Sequence, residues 1–349
     1  MKPVVRRRAR GLSIIELMVG LALGLYLVAV MGSIYLGSKT GFNSQESVSR
    51  LQENARYASD LLSGDLRMAG FRGCPSQGSG YGNLTNALAT PTSVWYDFSR
   101  GVAASHHSGS GWLPALDPAL SALGPNPAGD VFTVYRSAGT SWSLTAEMAD
   151  GTSPLQITPT TAITSGDLLV VADCSGAALF QASNANPGTS GSIQHLAGVS
   201  GQVPGNATAD LGRAWLQDAT VYRVQAITYY LAASQRQPGL LSLWSYATPP
   251  YGLPAATATE MVTGVERMQV TYGIDTVGDQ AAHQFVTADA VTDWTTVVSA
   301  RVELLLDGPD ANTTTTPQPY VFAGVSVTPT DHRMRTVVSL VASLRNTAP

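Results

Sequence analysis

Residues 12–36 form an apolar run, LSIIELMVGLALGLYLVAVMGSIYL, with Glu16 as its single charge, and a knot of arginines lies just before it. As an α-helix these 25 residues span about 37 Å, more than the roughly 30 Å of a bilayer's hydrocarbon core. Lys2, Arg6, Arg7, Arg8 and Arg10 precede the run with no acidic residue among them. Positive flanks stay cytoplasmic, so the N-terminus is expected inside and everything after Lys39 outside. A secretory signal peptide has a shorter apolar core followed by small residues at a cleavage site, and Leu36-Gly37-Ser38 fits that poorly. A plain anchor fits the length but leaves Glu16 unexplained. A carboxylate there costs a few kcal/mol unless it is partnered, and so reads as functional.

Beyond this segment the chain is that of an exported β-rich protein. Only 13% of its 349 residues are charged, while Gly and Pro number 34 and 20. Five of its 20 basic residues lie in residues 1–11, leaving 15 against 24 acidic ones in the remainder. Nucleic-acid affinity comes chiefly from clustered Lys and Arg, so no nucleic-acid partner is expected for this acidic bulk. Cys74 and Cys174 sit beside turn-forming residues (GCPS, DCSG), outside any metal-ligand spacing. Behind an export signal they read as one disulfide, with two unbridged buried thiols as the alternative.

Gly11-Leu12-Ser13-Ile14-Ile15-Glu16, after its basic leader, resembles the type IV prepilin signal. The resemblance implies cleavage between Gly11 and Leu12 by a prepilin peptidase and N-methylation of Leu12, with the apolar helix retained. It also gives Glu16 a role, as the carboxylate that neutralises the free amine of a neighbouring subunit, since a buried charge is tolerable only when paired. Leu at the first mature position, in place of the commoner Phe or Met, is a mild departure.

No proline occurs between Pro3 and Pro75. Leu51, Ala55, Ala58, Leu62, Leu66 and Ala69 recur at spacings of three and four, one face of a helix. A single helix from Leu12 to Ala69 is therefore predicted, ended by Gly70, Gly73 and Pro75. Residues 75–129 read as a long excursion with short elements. Strands are predicted in DVFTVYR, GDLLVVADC, ATVYRVQAITYYLA, MVTGVERMQVTYGI, TTVVSARVELLLDG and YVFAGVSVT, with loops at 183–213, 249–259 and 307–319. MRTVVSLVASL fits strand or helix by period, and its valines favour a strand. The expected class is α+β: a long N-terminal helix, half membrane-spanning and half amphipathic, packed on an antiparallel β-sheet head. The divisions are a leader (1–11), a transmembrane helix (12–36), an amphipathic helix (37–73) and a periplasmic head (74–349).

LQENARYASDLLSGDLRMAGFRGC, VERMQVTYGIDT, VVSARVELLL and HRMRTVVSLVASLRN resemble the PilW family of minor pilins. That resemblance implies a pilin-like fold and an inner-membrane protein of a Gram-negative bacterium that passes into the pilus. It implies priming of pilus assembly and a place in a low-copy tip complex, supporting twitching motility and adhesion. The implied partners are the prepilin peptidase, other minor pilins, the major pilin, the inner-membrane assembly machinery and a tip adhesin. Two other readings stand beside it: a type II secretion minor pseudopilin of the GspJ kind, and an adhesin whose own head binds surfaces.

Catalytic chemistry is not indicated. The histidines, at 106, 107, 195, 283 and 332, form no metal-ligand spacing and are expected at the surface. GSGYG and GSGW neither follow a strand nor open a helix, so no phosphate loop is read, and no nucleophile elbow is present. No catalytic residue, cofactor or resident metal is expected. Asp275 to Asp279 (DTVGD) could offer oxygens to Ca²⁺ but lacks the ligand series of an EF-hand, and a hairpin turn is the preferred reading.

Overall fold

The computed structural model describes residues 11–346 apart from 12, 72, 74–83, 91–92, 249–256, 309 and 312. One helix, α1 (Ile14–Met68), runs 55 residues, about 82 Å at 1.5 Å per residue. Ser13 caps its start. At its end Ala69 turns to an extended conformation and Gly70 adopts φ 74°. Asn346 covers carbonyls of the last turn, donating to Arg67 O and Ala69 O at 3.2 Å each.

The head holds two main sheets where a single one was expected. In chain order its elements are β1 (Leu84–Asn86), β2 (Val102–His107), β3 (Trp112–Leu113), α2 (Pro118–Ser121), β4 (Val131–Ala146), β5 (Leu155–Ile157), β6 (Leu168–Asp173), β7 (Gly176–Gln181), α3 (Pro187–Ser190), β8 (Ser192–Ile193), β9 (Thr220–Ala233), β10 (Leu241–Thr248), β11 (Ala258–Thr263), β12 (Val265–Ile274), β13 (Gln284–Val286), β14 (Val297–Asp307), β15 (Tyr320–Phe322), β16 (Val325–Val327) and β17 (Arg335–Ser343). The first sheet runs β1-β7-β6-β9-β4-β2-β3. Strands β10 and β11 continue it from β9, and β5 and β8 from β4. The second sheet is β13-β12-β14-β17, and β15 and β16 form a separate hairpin. Pairing between strands is antiparallel except for β1 beside β7. The last apolar run is a strand, β17, as its β-branched residues favour.

Helix α1 lies across both sheets and draws them into one core. Leu51, Ala58, Leu62, Leu66 and Ala69 are buried with Phe132, Val134 and Tyr229 of the first sheet and Val270, Val302 and Leu304 of the second. This is the stripe predicted from spacing, with Ala55 partly buried at its margin. Hydrogen bonds from the segment leading into β4 fasten the sheets to each other. Asp130 N donates to Met268 O at 3.1 Å, and Asp130 Oδ2 accepts Val270 N–H at 2.7 Å.

Candidate functional site

Among the described residues, the N-terminal half of α1 touches nothing in its own head. Its apolar window is wholly uncovered, and Ile14, Leu17, Met18, Leu21, Leu25 and Val28 are all exposed. An apolar surface of that size on a single helix demands lipid or protein around it. The helix is long and apolar enough to cross a membrane.

At its start Ser13 Oγ accepts Ile15 N–H at 3.3 Å, and Glu16 Oε2 accepts Ser13 N–H at 3.0 Å. This reciprocal pair is a capping box. Glu16 therefore has an intramolecular task that the prepilin comparison did not suggest, although Ser followed three residues later by Glu is its sequence signature. Gly11 is exposed at the entry to the helix; Leu12 lies outside the described residues.

Further along, polar groups fasten α1 to the head. Ser44 Oγ donates to Thr313 O at 2.9 Å, and Asn54 Nδ2 to Thr263 O at 3.0 Å. Asp65 accepts the Tyr229 hydroxyl at 2.5 Å and pairs with Arg136 Nε at 2.9 Å. Burial, and then the Asp65 charge, push the Tyr229 hydroxyl pKa well above its usual value, so it stays a donor.

One histidine departs from the expected surface placement. His195 is 1% exposed, with Nδ1 2.8 Å from Ala209 O and Nε2 3.0 Å from Ser153 O. Only an imidazolium donates at both positions, yet burial holds its pKa below the ordinary histidine value. It serves as a strut between loops, placed there by long-range folding that leaves no local signal. His106 Nδ1 meets Asp130 Oδ1 at 2.8 Å, where burial raises the pKa of the Asp130 carboxyl despite its donors.

Folding also brings Asp275, Asp279 and His283 together, one ligand atom from each within 4.8 Å of the others. Asp275, however, accepts backbone N–H groups from Val277, Gly278 and Gln280 at 3.0, 2.6 and 2.7 Å. Burial raises its pKa, these donors lower it, and the donors prevail. Asp275 thus acts as the acceptor that closes this turn. The preferred turn reading matches this geometry.

Cys174 is an exposed residue of the tight turn between β6 and β7. Cys74 lies outside the described residues, none of which is a free cysteine.

Asp307, at the end of β14, is the most perturbed carboxyl near the helix junction. Burial first, then the nearby Glu266 charge, raise its pKa to about 6, against the pull of Arg333 and Arg335. Arg333 Nη1 stands 3.4 Å away. A carboxyl whose folded pKa lies above its unfolded one adds stability below the unfolded value, near 4, and loses it as pH rises through about 6. Asp307→Asn is therefore expected to stabilise the protein by about 2 to 3 kcal/mol at pH 7. It should also flatten the stability profile between pH 4 and 6. Urea unfolding of the two proteins at pH 4, 6 and 7.5 checks this; parallel profiles would refute it.

Comparison with known proteins bears on the head. Residues 228–346 match the family model described as Type IV Pilus-assembly protein W. That region holds the whole second sheet and the end of the first. No curated protein matches the chain. Among solved structures, a type IV-like pilin from Thermus thermophilus is 12% identical, with 86% of this chain and 99% of that one covered at a TM-score of 0.34. The PilW resemblance read from the sequence holds over the region that the family model covers, and supports a pilus-related, structural role.

Proposed function

We propose that this chain, PilW-like over residues 228–346, is a minor pilin that helps prime type IV pilus assembly and joins a low-copy tip complex. The carrying observation is an uncovered apolar half-helix, capped by Ser13, whose other half is bolted to a head that matches the family model over residues 228–346. In this reading the prepilin peptidase cuts between Gly11 and Leu12 and methylates the Leu12 amine. The mature chain crosses the inner membrane once with its head in the periplasm. It then enters the pilus with other minor pilins and the major pilin, supporting twitching motility and adhesion, and performs no catalysis. The divisions at 1–11, 12–36, 37–73 and 74–349 follow from the same reading.

Gly11→Val is the direct test, because a β-branched side chain crowds a cut beside it. The wild-type protein, extracted from membranes, is expected to lack residues 1–11 and carry a methylated Leu12; the variant should keep its leader. An intact Met1 on the wild-type chain in cells containing the peptidase would refute the reading.

Glu16 has two candidate tasks, and a pair of substitutions separates them. Ser13→Ala removes the hydroxyl of the cap, worth about 1 kcal/mol of helix stability. Glu16→Ala leaves that hydroxyl in place and removes the other half of the box, the acceptor of Ser13 N–H, together with the carboxylate available to a neighbour's amine. Glu16→Ala is expected to be cleaved normally and to lose most co-purification with partner pilins, while Ser13→Ala retains it. Equal behaviour of the two would reduce Glu16 to a capping residue.

A further inference from the structure

The second sheet ends in a strand that lacks the usual protection. β17 pairs with β14 over nine residues, from Asp307↔Arg335 to Ser299↔Ser343, with no register shift. No described strand pairs with its other edge. The other terminal strands, β1, β3, β8, β11 and β13, run only two to six residues. After Arg335 the strand reads TVVSLVAS, with no charge, proline or glycine. Long, flat, uncharged edges are what proteins ordinarily blunt, because they recruit another strand. On the face away from α1, Ser339, Val341 and Ser343 are exposed, Val341 by 53%.

We propose that the β17 edge docks the head of an adjoining pilin subunit of the same orientation, which adds an antiparallel strand; this rests on the pilin reading above. Orientation selects the occupant. A second copy paired β17 to β17 through a two-fold axis normal to the sheet is the simplest antiparallel arrangement. That rotation reverses every in-plane direction, including that of α1 on the sheet, so the two apolar half-helices would point to opposite sides. Subunits anchored in one membrane cannot meet so. A like-oriented head instead presents its opposite edge. β12 is antiparallel to β14 and β14 to β17, so β12 runs with β17, and β13, antiparallel to β12, runs against it. The edge equivalent to β13 therefore meets β17 with the right polarity. The contact is heterologous and extends along a row of subunits rather than closing as a dimer.

A photo-crosslinking residue placed at Ser339 of the full-length protein in its membrane tests this, with the same residue at Leu27 in the apolar span and at exposed Val203 as references. The expected result is a pilin-head adduct from Ser339 and none from Val203. Val341→Lys, which leaves a charge at the edge, should lower partner co-purification roughly tenfold. Pilin adducts from Leu27 but none from Ser339 overturn the docking edge and leave the pilin reading standing. No pilin adduct from either position overturns both. A Ser339-to-Ser339 adduct between two copies, a non-pilin adduct, or unchanged co-purification by Val341→Lys also overturns the proposal.

Discussion

Replacing Glu260 by alanine is expected to destabilise the head by roughly 3 to 5 kcal/mol, the range for breaking a buried charged network. Glu260 is 6% exposed in β11. Its Oε1 accepts hydroxyls of Ser234, Ser242 and Thr263 at 2.5, 2.7 and 3.1 Å. Its Oε2 accepts the backbone N–H groups of Gln235 and Arg236 at 3.0 and 3.1 Å. One side chain thus satisfies the turn between β9 and β10 and ties it to β11. Truncation removes the acceptor of five donors at once, two of them on the buried Ser234 and Ser242, and unpaired buried donors cost more than the bonds themselves contribute. Burial raises the Glu260 pKa, but these donors outweigh it and the net shift is downward. A depressed folded pKa means that its contribution is present above about 4.5 and lost as pH falls through the lower folded value. Glu260→Ala should therefore lower stability at pH 7 and flatten the acid limb of the profile. Urea unfolding followed by tryptophan fluorescence reads both, since Trp244 lies opposite Glu260 in the β10–β11 register. A loss below 1 kcal/mol would mean that the network is incidental.

Reduction of a Cys74–Cys174 bridge is the second large effect expected. Gly73, at φ 108°, lies so close to the sheet that a Cβ there would stand 2.9 Å from Tyr222 Cε2 and 3.0 Å from Ala172 Cβ. Phe71 packs edge-on to Tyr222, with ring centroids 5.7 Å apart. The chain after α1 is thus held against Ala172, two residues before Cys174, and the next residue is Cys74. We propose that the two sulfurs join there, tying the helix end to the β6–β7 hairpin. A loop of about 100 residues gives up to about 4 to 5 kcal/mol in the chain-entropy model. Non-reducing peptide mapping should recover the linked pair, and the Cys74→Ser, Cys174→Ser variant should unfold at lower denaturant. Two alkylatable thiols in periplasmic protein would exclude the bridge. Gly73→Ala is expected to hinder closure, through both its φ and the close Tyr222 ring.

Local features were legible wherever the side-chain period mirrors the backbone. The stripe from Leu51 to Ala69 marked the buried face of α1, because 3.6-residue periodicity and burial are the same fact seen twice. The β-branched runs became β4, β6, β9, β12, β14 and β17 for a like reason. The prepilin-like hexapeptide drew attention to Glu16, and the Ser13 cap shares its residues. Short excursions in 84–129 form β1, β2 and β3, whose two to six residues are too few to announce themselves.

What the sequence determined by itself was a long helix with an uncovered apolar half and a β-rich, acidic head. Those follow from hydrophobicity and period, which act within a few residues. Tertiary structure alone decided that α1 fastens two sheets rather than one. It buried His195 and Glu260 and raised the pKa of Asp307. It also left β17 with an edge that no described strand pairs. Each of these depends on groups far apart in the chain, such as Asp65 with Tyr229 or Asp130 with Val270, and burial and pairing at that distance are set by packing, which no local pattern encodes.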